Sequence, residues 1–163
     1  MNILLFPNPI LREKSKTVKV FDKKLAGFTG LLTELMYINR GCVGVAAPQT
    51  GALTRVVVAD ASRHKNAGNT HGLLVLINPE ITEKSGSCTN REGCLSVPDF
   101  TGNVERPEAV KIKYQDITGK SNIFEASGFE AIVLQHEMDH LDGVLFIDRI
   151  RNSKRDLFRR QSY

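Results

Sequence analysis

The chain of 163 residues is long enough for one domain with a sizeable core and too short to expect two. Hydrophobic residues make up 41% and charged residues 25%, which excludes a disordered chain and fits an ordinary globular protein. The net charge of +4 is uneven: residues 149–163 carry six cations against Asp156 alone, leaving the body with 16 basic and 17 acidic residues, which excludes a basic nucleic-acid-binding body.

The opening Met1–Pro9 has no basic n-region, and its apolar run, Ile3 to Phe6, is four residues long, so it does not read as a signal peptide. No run approaches the length that spans a bilayer. Cys42, Cys88 and Cys94 are few and odd in number, which favours thiols or a metal ligand over disulfides. A cytoplasmic location is expected, with neither a membrane nor specific DNA as partner.

In chain order, Leu4 to Phe6 is a short apolar stretch stopped by Pro7 and Pro9, a loop or sheet edge. Asp22 can cap a helix from Lys23 to about Asn39, with Leu25, Phe28, Leu32 and Leu35 on its buried stripe and Gly41 ending it. Residues 41–49 fit neither helix nor regular strand. Arg55 to Ala59 reads as a strand, 60–72 as a surface loop, and Leu73 to Asn78 as a buried strand stopped by Pro79. Val110, Ile112 and Tyr114 alternate with Lys111 and Lys113, a strand with one wet face. Asn122 to Glu125 returns as its hairpin partner after a turn through Gly119. Ser127 and Glu130 form a capping-box pattern for a helix that Gly143 can end. Phe129, Ile132, Val133, Leu134, Met138 and Leu141 make this helix apolar on most sides, so it should pack deep. Ser153 with Asp156 suggests a last short helix carrying Leu157 and Phe158. The expected fold class is α+β: antiparallel sheets around one central helix, with an N-terminal and a short C-terminal helix, in a single domain over 1–163 with a basic tail at 149–163.

That central helix carries His136-Glu137-Met138-Asp139-His140. Imidazoles four residues apart lie about 40° apart around a helix, so both can reach one metal ion. Glu137 lies about 100° from His136, beside the metal face, where a general base should stand. Two histidines on an apolar face need partners, and a metal supplies both. A catalytic site needs a third ligand and an open position. The third histidine of one metallopeptidase pattern would fall on Phe146, and no Glu follows Glu137. Asp142, Asp148 and Asp156 remain open as ligands but sit in surface or cap positions. Cys94, in Glu92-Gly93-Cys94-Leu95-Ser96-Val97-Pro98, is the upstream candidate: His₂Cys leaves a tetrahedral site with one vacancy. Rival readings are a metallopeptidase of another kind, or a structural site with Cys42 as fourth ligand.

Three stretches together, Gly44-Val45-Ala46-Ala47-Pro48-Gln49, Glu92-Gly93-Cys94-Leu95-Ser96 and Gln135-His136-Glu137-Met138-Asp139-His140, resemble the motifs of the peptide deformylases in content and order. Pro7-Asn8-Pro9-Ile10-Leu11-Arg12 and Val144-Leu145-Phe146 are similar too. One departure is Cys42, where the family usually has glycine. The resemblance implies hydrolysis of the N-formyl group from the starting methionine of new polypeptides, with release of formate. It implies one divalent metal on Cys94, His136 and His140: Fe²⁺ in the cell, with Ni²⁺, Co²⁺ or Zn²⁺ in purified samples. Glu137 would move the proton, and the Gln49 amide and Leu95 backbone N–H would donate to the developing oxyanion. Val43, Phe129, Ile132 and Val133 would form the methionine pocket. The substrate backbone would pair near Gly44 or near Glu92. Formyl-methionyl nascent peptides are the implied partner, and the basic tail is a candidate for docking on the ribosome.

Overall fold

The computed structural model describes residues 1–160; the end of the basic tail, 161–163, lies outside the described residues. Helix α1 (Lys23–Ile38) begins as expected, the Asp22 carboxylate accepting from the Lys24 and Leu25 N–H groups at 3.0 and 2.9 Å. Gly41 (φ +77°) turns the chain into β1 (Gly44–Ala46). The stretch 41–49 is therefore partly regular after all: β1 pairs antiparallel with β2 (Val56–Asp60), and Ala47–Thr50 is a 3-10 turn. A three-residue strand of small residues, all buried, has no alternation by which to announce itself.

β3 (Leu73–Ser85) does not stop at Pro79. Asn78 adopts φ +52° and the ladder shifts register between Ile77 and Glu80, so the proline sits where no ladder N–H is required. The Asn78 amide fixes this kink by accepting from Val18 N at 2.8 Å and donating to Gln115 Oε1 at 2.7 Å. β4 (Cys88–Cys94) and β5 (Val97–Arg106) form a long hairpin that the sequence reading lacked. β6 (Ala109–Gln115) and β7 (Ser121–Ser127) are the expected second hairpin, and α2 (Gly128–Leu141) is the expected central helix. Ser127, however, makes no side-chain cap; Glu130 instead accepts from His71 N and meets His71 Nδ1, each at 2.7 Å, tying the 61–72 loop to the helix. α3 (Ser153–Asp156) ends before Leu157 and Phe158, which lie in β8 (Leu157–Arg159), a strand on β5.

Two antiparallel sheets result, ordered β1-β2-β3-β6-β7 and β4-β5-β8. Eleven of the 14 residues of α2 are buried. Leu134, Met138 and Leu141 pack on Val57, Leu76 and Ile112 of the larger sheet, and α1 covers that sheet's other face through Leu32, Leu35 and Met36. The α+β arrangement of antiparallel sheets around a central helix is as the sequence suggests. No described helix is long and apolar enough to cross a membrane. The tail is less free than its charge suggests: Arg149 pairs with Asp139, Arg151 with Glu105, and Arg155 with Asp156.

Candidate metal centre

Helical spacing brings His136 and His140 to one side of α2, with ring centroids 5.3 Å apart. The tight turn after β4 delivers Cys94 opposite them. The ligand atoms of Cys94, His136 and His140 all lie within 4.8 Å of one another, and all three residues are buried. Cys94 Sγ is 3.3 Å from His140 Nε2. Burial alone raises the Cys94 thiol, but the imidazoles of His140 and His136 more than offset it and hold the thiol well below its ordinary range. Sulfur is therefore available as thiolate, the form that ligates.

The next layer fixes one imidazole. His136 Nδ1 meets Glu92 Oε2 at 2.8 Å, leaving Nε2 toward Cys94 and His140. Glu92 is held from the other side by Arg106, through Nε–Oε1 at 2.5 Å and Nη2–Oε2 at 2.9 Å. Arg106 also donates to Asp139 Oδ2 at 2.9 Å, and Asp139 takes two bonds from Arg149. Burial pushes the Glu92 carboxyl up, but Arg106 and His136 together bring it down to about 2. Its side chain is thus committed to His136 and Arg106, while its backbone lies at the open edge of β4.

Glu137 stands beside the donors, buried, with Oε2 lacking a hydrogen-bond partner among the described residues. Burial raises it to about 7, against the pull of His136 and His140. Its neighbour across the cleft is Gly44: a Cβ there would lie 2.7 Å from Glu137 Cγ and Oε1, so β1 can run this close only with glycine. Gln49 is locked by its own turn, Oε1 accepting from Ala46 N at 2.8 Å. That leaves Nε2 aimed at Cys94 Sγ (3.4 Å) and Ser96 Oγ (3.2 Å).

A cleft of about 240 Å³ opens above these groups. Of the residues singled out from sequence, Val43, Gly44, Gln49, Glu92, Cys94, Leu95, Phe129, Ile132, Val133, His136 and Glu137 line it, and His140 lies just beneath, 1% exposed. Cys42 lines it as well, with its thiol pushed up by burial to about 12 and its Sγ donating to Gly44 O at 3.1 Å; the donor atoms that converge among the described residues are those of Cys94, His136 and His140. Gly41 carries the positive φ, which leaves Cys42 unstrained. Sequence reasoning missed His64, stacked on Phe129 at 4.3 Å between ring centroids, and the cations Arg40, Arg91 and Arg160 at the mouth. It also missed Arg106, for which the only signal was a buried Glu92 needing a counter-charge.

The donor set fits a metal ion: soft sulfur and two imidazoles on one point, beside a buried carboxylate oxygen that has no partner among the described residues. Such a centre, opening on a cleft with a carboxylate at its wall, is the chemistry of a metal-dependent hydrolase. A model of the polypeptide deformylases matches residues 1–156. A peptide deformylase of Thermodesulfovibrio yellowstonii is 43% identical over 162 residues, covering 99% of this chain and 95% of that one. One from Desulfotalea psychrophila is 39% identical over 161 residues, covering 99% and 94%. Among solved structures, the peptide deformylase of Thermotoga maritima superposes with a TM-score of 0.84 at 41% identity, covering 93% of this chain and 97% of that one. The chain belongs to the polypeptide deformylase family, metal-dependent hydrolases that remove the N-formyl group from formyl-methionyl nascent peptides.

Proposed function

We propose that this chain acts as one catalytic domain in which Cys94, His136 and His140 hold a divalent ion, Fe²⁺ in the cytoplasm and replaceable by Ni²⁺, Co²⁺ or Zn²⁺. The observation that carries the assignment is the convergence of these three buried donors beside the unpartnered Glu137 oxygen. When bound, the ion supplies Lewis acidity, acidifying water and polarising the formyl carbonyl. Glu137 takes a proton from the attacking water and passes it to the nitrogen of the departing amine, so the products are formate and a free N-terminus. Gln49 Nε2, its orientation set by Ala46 N, and the Leu95 backbone N–H donate to the formyl oxygen as it becomes negative. Phe129, Ile132, Val133 and Val43 offer the methionine side chain an apolar wall. Both β1 and β4 are edge strands facing this cleft, so an extended peptide can pair with either.

Formate release from formyl-Met-Ala, with metal content measured on anaerobically purified protein, tests the reading; turnover of unformylated peptides alone would defeat it. Gln49→Ala should lower kcat about 10²–10³-fold with metal retained, and metal loss in that variant would instead make Gln49 structural. Gly44→Ala should lower kcat by at least about tenfold by displacing Glu137, again without metal loss. Ribosome docking through the tail rests on Lys154 and Arg159, exposed and outside the tail's ion pairs. Reversing both charges should weaken co-sedimentation with ribosomes; unchanged binding rejects that role.

A further inference from the structure

His64 is the residue by which the 61–72 loop, between β2 and β3, reaches the cleft. Its ring lies against that of Phe129, with centroids 4.3 Å apart and planes inclined by 23°. Phe129 is partly buried, packs with Val43 on the main core, and lines the same cleft. His64 therefore carries the edge of the core outward into the cleft wall. The loop that presents it is held at both ends. At its start, Asp60 N donates to Val43 O at 2.8 Å, and the Asp60 carboxylate accepts from Ser62 N at 3.2 Å and from the Tyr37 hydroxyl at 2.9 Å. The Arg63 guanidinium lies over the Tyr37 ring, 4.7 Å from its centroid. The imidazole is oriented by its own loop, Asn66 N donating to Nδ1 at 3.2 Å and Ala67 N to His64 O at 2.9 Å. At the loop's end, His71 meets Glu130 through its N–H and its ring, each at 2.7 Å. The loop thus grips two adjacent residues of α2, Phe129 by a stacked ring and Glu130 by two polar contacts.

The rest of the apolar wall comes from α2 and from the chain entering β1: Ile132 and Val133 are buried in the helix, and Val43 is packed on the core. Close packing leaves those side chains little room to give. A ring supplied by a loop is the part of such a wall that sequence can change without disturbing the core. We infer that His64 is a specificity residue: its ring completes the wall that meets the first side chain of the substrate and sets the bulk that wall admits, passing an unbranched thioether and rejecting an aromatic ring. This rests on the reading of the cleft proposed above.

The test uses the metal-loaded full chain and two C-terminally amidated peptides, formyl-Met-Ala-Ser and formyl-Phe-Ala-Ser. The parent should prefer the methionyl peptide in kcat/KM. His64→Ala should lower kcat/KM for that peptide roughly three- to tenfold, through KM rather than kcat. The same variant should admit the phenylalanyl peptide, so that the preference for methionine shrinks by about tenfold or more. His64→Phe returns a ring to Phe129 and should keep most of the preference. Lys65→Gln, the next residue of the loop and outside the cleft lining, should leave it unchanged. No preference in the parent, a preference that survives His64→Ala, or a His64→Phe that behaves as His64→Ala overturns the inference, while formate release upholds the deformylase reading. A loss as large in Lys65→Gln also overturns it, tracing the effect to the loop as a whole and not to the ring. No formate from either peptide with the parent defeats the deformylase reading and the inference with it.

Discussion

Replacing Glu137 by Gln should remove almost all turnover and, in the metal-free protein, increase stability. The two effects share one cause. The carboxylate is buried with one oxygen unpartnered, a state that costs free energy in the folded chain and costs nothing in the unfolded one. Its folded pKa, raised by burial from its ordinary 4.5 to about 7, sets the pH window. Below about 4.5 the group is protonated in both states and imposes no penalty. The penalty grows through the interval and is complete above about 7, so stability is lost as pH rises. Above neutrality Glu137→Gln should therefore stabilise the metal-free protein by roughly 1–3 kcal/mol, while kcat of the loaded enzyme falls by about 10²–10⁴. Chemical denaturation at pH 5 and pH 8, beside formate assays, separates the effects. Equal stability of parent and variant at pH 8 would remove the argument that this carboxylate is held against its own solvation.

Arg106→Ala should give the largest structural loss. Arg106 is 2% exposed and grips both oxygens of a Glu92 that is itself buried. Removing it leaves a buried carboxylate with only His136 to face, which typically costs about 3–5 kcal/mol, or roughly 10 °C in Tm for a chain of this size. Glu92 should then take up a proton more readily and hold His136 less well, weakening metal affinity by about 10–100-fold. Glu92→Gln combined with Arg106→Met should recover much of the stability, since both charges are gone, but not the metal affinity. Calorimetry and competitive chelation would read the two quantities independently. An unchanged Tm in Arg106→Ala would show that the pair is dispensable to the fold.

The central helix and the meeting of Cys94, His136 and His140 were legible because two imidazoles on one helical face need positions four apart, whatever the surroundings, and an upstream thiol was the remaining soft donor. The β6–β7 hairpin and α1 were legible because Val110 and Ile112 alternate with Lys111 and Lys113 in β6, and Leu25, Leu32 and Leu35 recur at helical spacing in α1 and are buried. The β4–β5 hairpin inverts that rule. Its inward positions include Glu92 and Arg106, which face each other inside the domain, and β5 contains Pro98, Asp99, Gly102 and Asn103. Polarity therefore reads as a loop where the structure has a strand. The Ser127–Glu130 pattern misled for a related reason: Glu130 had a better partner in His71, far away in sequence. Arg160 was counted as part of a diffuse basic tail, since nothing local predicts that Leu157–Arg159 joins β5.

The two sheets each end in an edge strand at the same cleft, β1 on one side and β4 on the other. In the proposed pairing, backbone groups along these edges would read any main chain, since amides are common to every sequence, and the apolar wall of the cleft would be left to identify the first residue. The constraint this imposes is temporal. A terminus already wound into a helix or paired in its own sheet has no spare amides to offer and cannot enter. The reaction therefore belongs to the interval in which a growing chain still has a loose beginning, and slow folding of that segment would extend it.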